Sequence, residues 1–133
     1  MSASSALKGI QDLFWWVPLG WVPEISAEAL SQALARAASA PQILDVRTEG
    51  EWQRGHIEGA IHVPVQHLKV RLPTLGLDRG RPVVAVCLSA HRSIPAVRLL
   101  RRQGFTDAKQ LAGGMLAWRR AGLPESQPES QSS

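Results

Sequence analysis

The stretch "VVAVCLSAHRSIPAVRLL", residues 83–100, places the only cysteine of the chain between a strand signal and a helix signal. Its first half belongs to "RPVVAVCL" (81–88), a continuous apolar run rich in β-branched valine. Apolar character without polar alternation is what a central parallel strand, covered on both faces, requires. The second half changes period: Ile94, Val97 and Leu100 or Leu99 fall on one helical stripe. Ser93 is a candidate cap for that helix. Pro95 falls in its first turn, where backbone N–H groups lack helical partners anyway, and Gly104 suits the C-terminal stop. Cys87 therefore stands at the carboxyl end of the strongest strand, before a short polar loop.

Outward from this stretch, short strands alternate with helices. "EISAEALSQALARAAS" (24–39) predicts a helix with Ser26 at its cap, Glu28 in its first turn, and Leu30, Leu34 and Ala37 on one face. "QILDV" (42–46) and "AIHVP" (60–64) predict short buried strands. Between them "EGEWQRGHIEG" (49–59) predicts a short helix closed by Gly55. A last strand is expected around "AKQL" (108–111), before "GGMLAWRRAGLP". This order predicts an α/β domain with a mainly parallel sheet.

In such sheets ligands gather at the carboxyl ends of the strands. A loop that turns there into a helix aims successive N–H groups inward as an anion-binding nest, and the helix N-terminus adds partial positive charge. Arg92 adds a permanent cation and His91 a partial one. All these effects favour thiolate over thiol. The competing reading, a small buried hydrophobe, is the common fate of a free cysteine; the order strand, Cys87, polar loop, Arg92, Ser93, helix favours the nucleophile.

Composition sets the remaining bounds. With 133 residues, 44% apolar and 20% charged, the chain suits one domain with a real core. Fifteen basic against eleven acidic residues favour anionic partners in general but do not single out nucleic acid, which is not expected as a partner. One cysteine forms no internal disulfide and no cysteine-rich zinc site, and His56, His62, His67 and His91 lack metal-ligand spacing. No metal and no cofactor are expected. Residues 1–21 form an aromatic arm, in which "LFWWVPLGWVP" (13–23) is too short to span a bilayer and is interrupted by Pro18 and Pro23. The favoured reading packs Trp15, Trp16 and Trp21 on the domain; the alternative is weak membrane or protein contact through them. No export signal is recognised, so the cytoplasm is the default location. From Glu125 the chain holds only Pro, Glu, Ser and Gln, and residues 125–133 are expected to be a disordered tail.

Three stretches, in order, carry a family resemblance. "CLSAHRS" (87–93) resembles the active-site loop of rhodanese sulfurtransferases, in which a catalytic cysteine opens a tight loop ending in Arg-Ser or Arg-Thr. "LDVRTEGEWQRGHIEGAIHVP" (44–64) is similar to the family's signature near the N-terminus, and "GFTDAKQLAGGMLAWRRAGLP" (104–124) to that near the C-terminus. Together, in order, they carry a resemblance that covers roughly residues 22–124, the expected domain. The resemblance implies a rhodanese-like sheet of about five parallel strands flanked by helices on both faces. It further implies that Cys87 accepts sulfane sulfur from a small anionic donor, such as thiosulfate or a persulfide, and passes it to a thiol, cyanide or a protein acceptor. Leu88, Ser89, Ala90, His91, Arg92 and Ser93 would then form the substrate-binding loop.

Departures and alternatives stand beside this reading. Many family loops carry glycine where this chain has Ala90, and alanine is strained there if the position needs positive φ. Related phosphatase and arsenate-reductase loops are one residue longer; Cys87 to Arg92 spans six residues, the shorter form. A decayed binding module is the third class, disfavoured because Cys87 and Arg92 are both present. Asp45 reads as a structural carboxylate, Arg47 and Glu51 as a structural ion pair, His56 as a hydrogen-bonded core or turn histidine, and Trp52 and Trp118 as core aromatics.

Overall fold

A computed structural model describes residues 20–128. Five strands form one sheet: β1 (Glu24–Ile25), β2 (Gln42–Asp45), β3 (Ile61–His62), β4 (Val83–Val86) and β5 (Ala108–Leu111). Their spatial order is β1-β5-β4-β2-β3 and every pairing is parallel. Five helices connect them: α1 (Ala27–Leu34), α2 (Glu49–Arg54), α3 (Val65–Arg71), α4 (Ser93–Arg102) and α5 (Gly114–Arg120). The parallel α/β architecture is the one expected.

Strand β4 lies at the centre, between β2 and β5, and its alternation builds both cores. Val83, Ala85 and Cys87 face one side, where Leu68 of α3 and Ala96, Val97 and Leu100 of α4 cover them. Val84 and Val86 face the other, against Ala27 and Leu30 of α1 and Met115 and Trp118 of α5. A strand buried on both faces needs an apolar residue at every position, which explains its unbroken apolar run, Val83, Val84, Ala85 and Val86.

Several boundaries differ from expectation for tertiary reasons. Glu24 and Ile25 form an edge strand instead of opening the first helix, because they pair with Gln110 and Leu111. The helix begins after Ser26, whose hydroxyl accepts from the Ala29 N–H as expected of a cap, and it ends at Leu34. Helix α3, unexpected from the sequence, has no capping side chain and buries only Leu68. The tail is anchored further than expected. Glu125 pairs with Arg119, Ser126 bridges to His56, and the Gln127 amide donates to the Arg54 carbonyl. Trp21 is 78% exposed, not packed on the domain, whereas Trp15, Trp16 and residues 129–133 lie outside the described residues. Among the described residues, no helix is long and apolar enough to cross a membrane.

Arg47 does not pair with Glu51. It turns back two residues onto Asp45, and both side chains are 1% exposed. Its Nε donates to Asp45 Oδ1 at 3.0 Å, and its Nη2 to Asp45 Oδ2 at 2.8 Å and to the Gly55 carbonyl at 2.7 Å. The pair ties the end of β2 to the end of α2. Removing one partner strands a buried charge. Arg47→Met should therefore lower the unfolding free energy by about 3–5 kcal/mol in urea titrations. Arg47→Met with Asp45→Leu should recover most of that loss; equal stability of the single variant and wild type would contradict the role of the pair.

Candidate active site

Cys87 follows β4 directly and is 1% exposed. Its Sγ accepts a hydrogen bond from the Ala90 N–H at 2.9 Å and lies 3.4 Å from Ser93 Oγ. Ala90 adopts φ 79°, the only positive φ of a non-glycine residue among the described residues. The left-handed turn thus falls on the residue whose N–H meets the sulfur, and alanine bears a strain there of roughly 1–2 kcal/mol. Leu88 is half-buried, while Ser89 and His91 are exposed and bond each other through Ser89 Oγ and His91 Nδ1 at 3.1 Å.

Arg92 closes the loop through Glu51, a partner different from the one expected. Its Nη1 and Nη2 donate to Glu51 Oε1 and Oε2 at 2.6 and 2.9 Å, a two-point grip. Glu51 is already placed by a capping box with Thr48 at the start of α2. The Arg92 guanidinium, aided by Thr48, outweighs burial and holds the Glu51 carboxyl at about 2, from an ordinary 4.5. The same hydrogen bonds raise Arg92, against the opposing effect of burial. Arg92 is thus a loop-closing cation whose inner face is occupied, and the N-terminal signature meets the cysteine loop through Glu51 rather than through Arg47. His56 is buried behind α2, where its ring stacks on Trp52 and its Nδ1 meets the Trp52 carbonyl at 2.9 Å. Trp118 is a core residue as expected, whereas Trp52 is only partly buried.

Ser93 is not the helix cap; Arg92 occupies that position without a side-chain capping bond, and Ser93 is the first helical residue. Its fully buried hydroxyl donates to Gln110 Oε1 at 2.6 Å, and Gln110 Nε2 donates to Glu24 Oε2 at 3.0 Å. Reading the sequence missed Gln110 and Glu24, because only the β1–β5–β4 pairing brings them to the cysteine. It also left the role of Gly113 and Gly114 unassigned. A side chain at Gly114 would sit 2.3 Å from the Cys87 carbonyl oxygen, and both glycines have positive φ. The bareness of Gly114 lets α5 dock on the loop, with Met115 and Leu116 N–H groups donating to the Cys87 and Leu88 carbonyls at 2.8 and 3.0 Å.

The chain matches the Rhodanese-like domain family over residues 26–121. It belongs to that family. A sulfurtransferase of Allochromatium vinosum is 38% identical over 108 residues, which is 81% of this chain and 98% of that protein. The thiosulfate sulfurtransferase GlpE of Shewanella oneidensis is 36% identical over 63% of this chain and 81% of its own length. Among solved structures, the rhodanese-like domain from Anabaena superposes with a TM-score of 0.71 at 29% identity, covering 85% of this chain and 87% of that one. These likenesses support sulfur transfer as the general chemistry of this rhodanese domain.

The Glu51–Arg92 pair has a pH signature. Because the folded carboxyl titrates below its ordinary value, its stabilisation is complete above pH 4.5 and is lost as pH falls toward about 2. Urea unfolding across that window should show wild type losing its advantage over Glu51→Gln as acid is added. Parallel pH profiles for the two proteins would contradict the pair's contribution.

Proposed function

We propose that this rhodanese domain is an enzyme that moves sulfane sulfur through a persulfide on Cys87. The observation that carries the reading is the Ala90 N–H aimed at Sγ, in a loop that Arg92 closes at the carboxyl edge of the sheet. A thiolate at this position attacks the outer sulfur of thiosulfate. The new Sγ–S bond forms as the S–S bond of the donor breaks, and sulfite leaves with its electron pair. The persulfide anion keeps the negative charge within reach of the loop N–H groups. An acceptor, either a thiol, cyanide or a protein nucleophile, then takes the outer sulfur and returns the thiolate.

In this reading the donor rests on the loop of Leu88, Ser89, Ala90, His91, Arg92 and Ser93, with the Ser93 hydroxyl lying between Sγ and Gln110. Arg92 acts by holding the loop shut through Glu51, whose ionised carboxylate balances its charge. No second thiol exists in the chain, so no internal disulfide can discharge the persulfide, which waits for an external acceptor. A reducing compartment such as the cytoplasm suits a mechanism that depends on one free thiol.

Steady-state assays with thiosulfate and cyanide test this. Initial-rate lines should be parallel as both substrates are varied, the mark of a double displacement. Cys87→Ser should lose more than about a thousandfold in rate. Arg92→Ala should raise KM and lower kcat, with Arg92→Lys recovering only part because an ammonium lacks the planar fork. Intersecting lines, or full activity in Cys87→Ser, would overturn the mechanism.

A further inference from the structure

The hydrogen bonds that end on Cys87 have a direction, and an exposed carboxylate at the sheet edge sets it. Glu24 can only accept, so the Gln110 amide must turn its NH2 toward Glu24 and its oxygen toward Ser93. The short contact from Ser93 Oγ to that oxygen then consumes the one proton of the hydroxyl. Toward Cys87, 3.4 Å away, Ser93 presents lone pairs. That face suits a thiol, whose S–H it accepts, and opposes a thiolate. To donate to an ionised sulfur, Ser93 must swing its proton away and leave the buried Gln110 oxygen unpaired, an unfavourable exchange.

We propose that Glu24 and Gln110 are positioning residues which, through Ser93, bias Cys87 toward its thiol form between turnovers. They work against the Ala90 N–H, which favours the thiolate from the opposite side. The relay runs from β1 across β5 to the first turn of α4, through 3.0, 2.6 and 3.4 Å contacts. Several charged groups on the other packed elements are paired, and one of them, Arg92, also interacts with Cys87 through space. Asp45 at the end of β2 is held by Arg47, Glu51 of α2 by Arg92, and Arg119 of α5 by Glu125. His91 is exposed on the loop and bonded to Ser89. The relay is therefore the contact through which the far edge of the sheet reaches the sulfur.

The idea deepens the reading of Cys87 as nucleophile, yet its test needs no sulfur donor. The chain has one cysteine and no tyrosine, so its ultraviolet thiolate band reports Cys87 without phenolate interference. Titrating that band in the full chain, with Cys87→Ser as blank, should show Glu24→Gln and Gln110→Leu moving the midpoint about one pH unit lower than wild type. Glu24→Gln frees the amide to flip; Gln110→Leu removes the acceptor with no change of charge. Removal of the Glu24 charge also acts through space, so the decisive comparison is Glu24→Gln in a Ser93→Ala background. There the relay is cut, and the shift should fall to a small fraction of its size in the parent. The cycle stands even if Gln110→Leu fails to fold. No shift in Glu24→Gln, or the same shift with and without Ser93, would overturn the proposal, while leaving sulfur transfer by Cys87 untouched.

Discussion

Strand β4 is hydrogen-bonded along both edges and packed on both faces, and the other elements take their places from that constraint. A strand in that position cannot tolerate an unpaired polar group, so it must be apolar throughout. Its neighbours must be parallel strands returned by crossover helices, which cover the two faces. All carboxyl ends then lie on one edge. Cys87 is the first residue past the end of β4, where its side chain still belongs to the buried face and its neighbours already belong to the loop. The site is thus half core and half surface, which shelters the sulfur while exposing Ser89 and His91.

Around that point, three contacts that brace the loop come from distant parts of the chain. Glu51 reaches it from α2 through Arg92, Gln110 from β5 through Ser93, and the N-terminus of α5 through the carbonyls of Cys87 and Leu88. Thr48 holds Glu51 and Glu24 holds Gln110 as second partners, and the bare Gly114 gives α5 its close approach. Such outer support is what keeps a strained turn at Ala90 in one conformation.

Much of this was legible in the sequence because it is written in local patterns. The valine-rich apolar run of β4, the Ser26 cap, the helix after Cys87 and the strand at 108–111 each depend on neighbours in the chain. The suspicion that position 90 requires positive φ was also local, and Ala90 bears it out. What remained hidden was pairing between charges and between polar groups. Arg47, Glu51, Arg92 and Asp45 admit several pairings, and only the fold decides that the pairs are Arg47 with Asp45 and Arg92 with Glu51. Ser93 sits where a cap would stand by residue type; burial against Gln110 gave its hydroxyl another partner. A two-residue edge strand such as β1 has no periodicity of its own to read.

Sulfur carriage by Cys87 is tested most directly by intact-mass spectrometry of the full chain. Incubated with thiosulfate and desalted, the wild-type protein should gain the mass of one sulfur atom and lose it when cyanide is added. Cys87→Ser, treated alike, should gain nothing. A wild-type chain that stays unmodified, or an adduct that survives the loss of Cys87, would contradict a persulfide held in this loop.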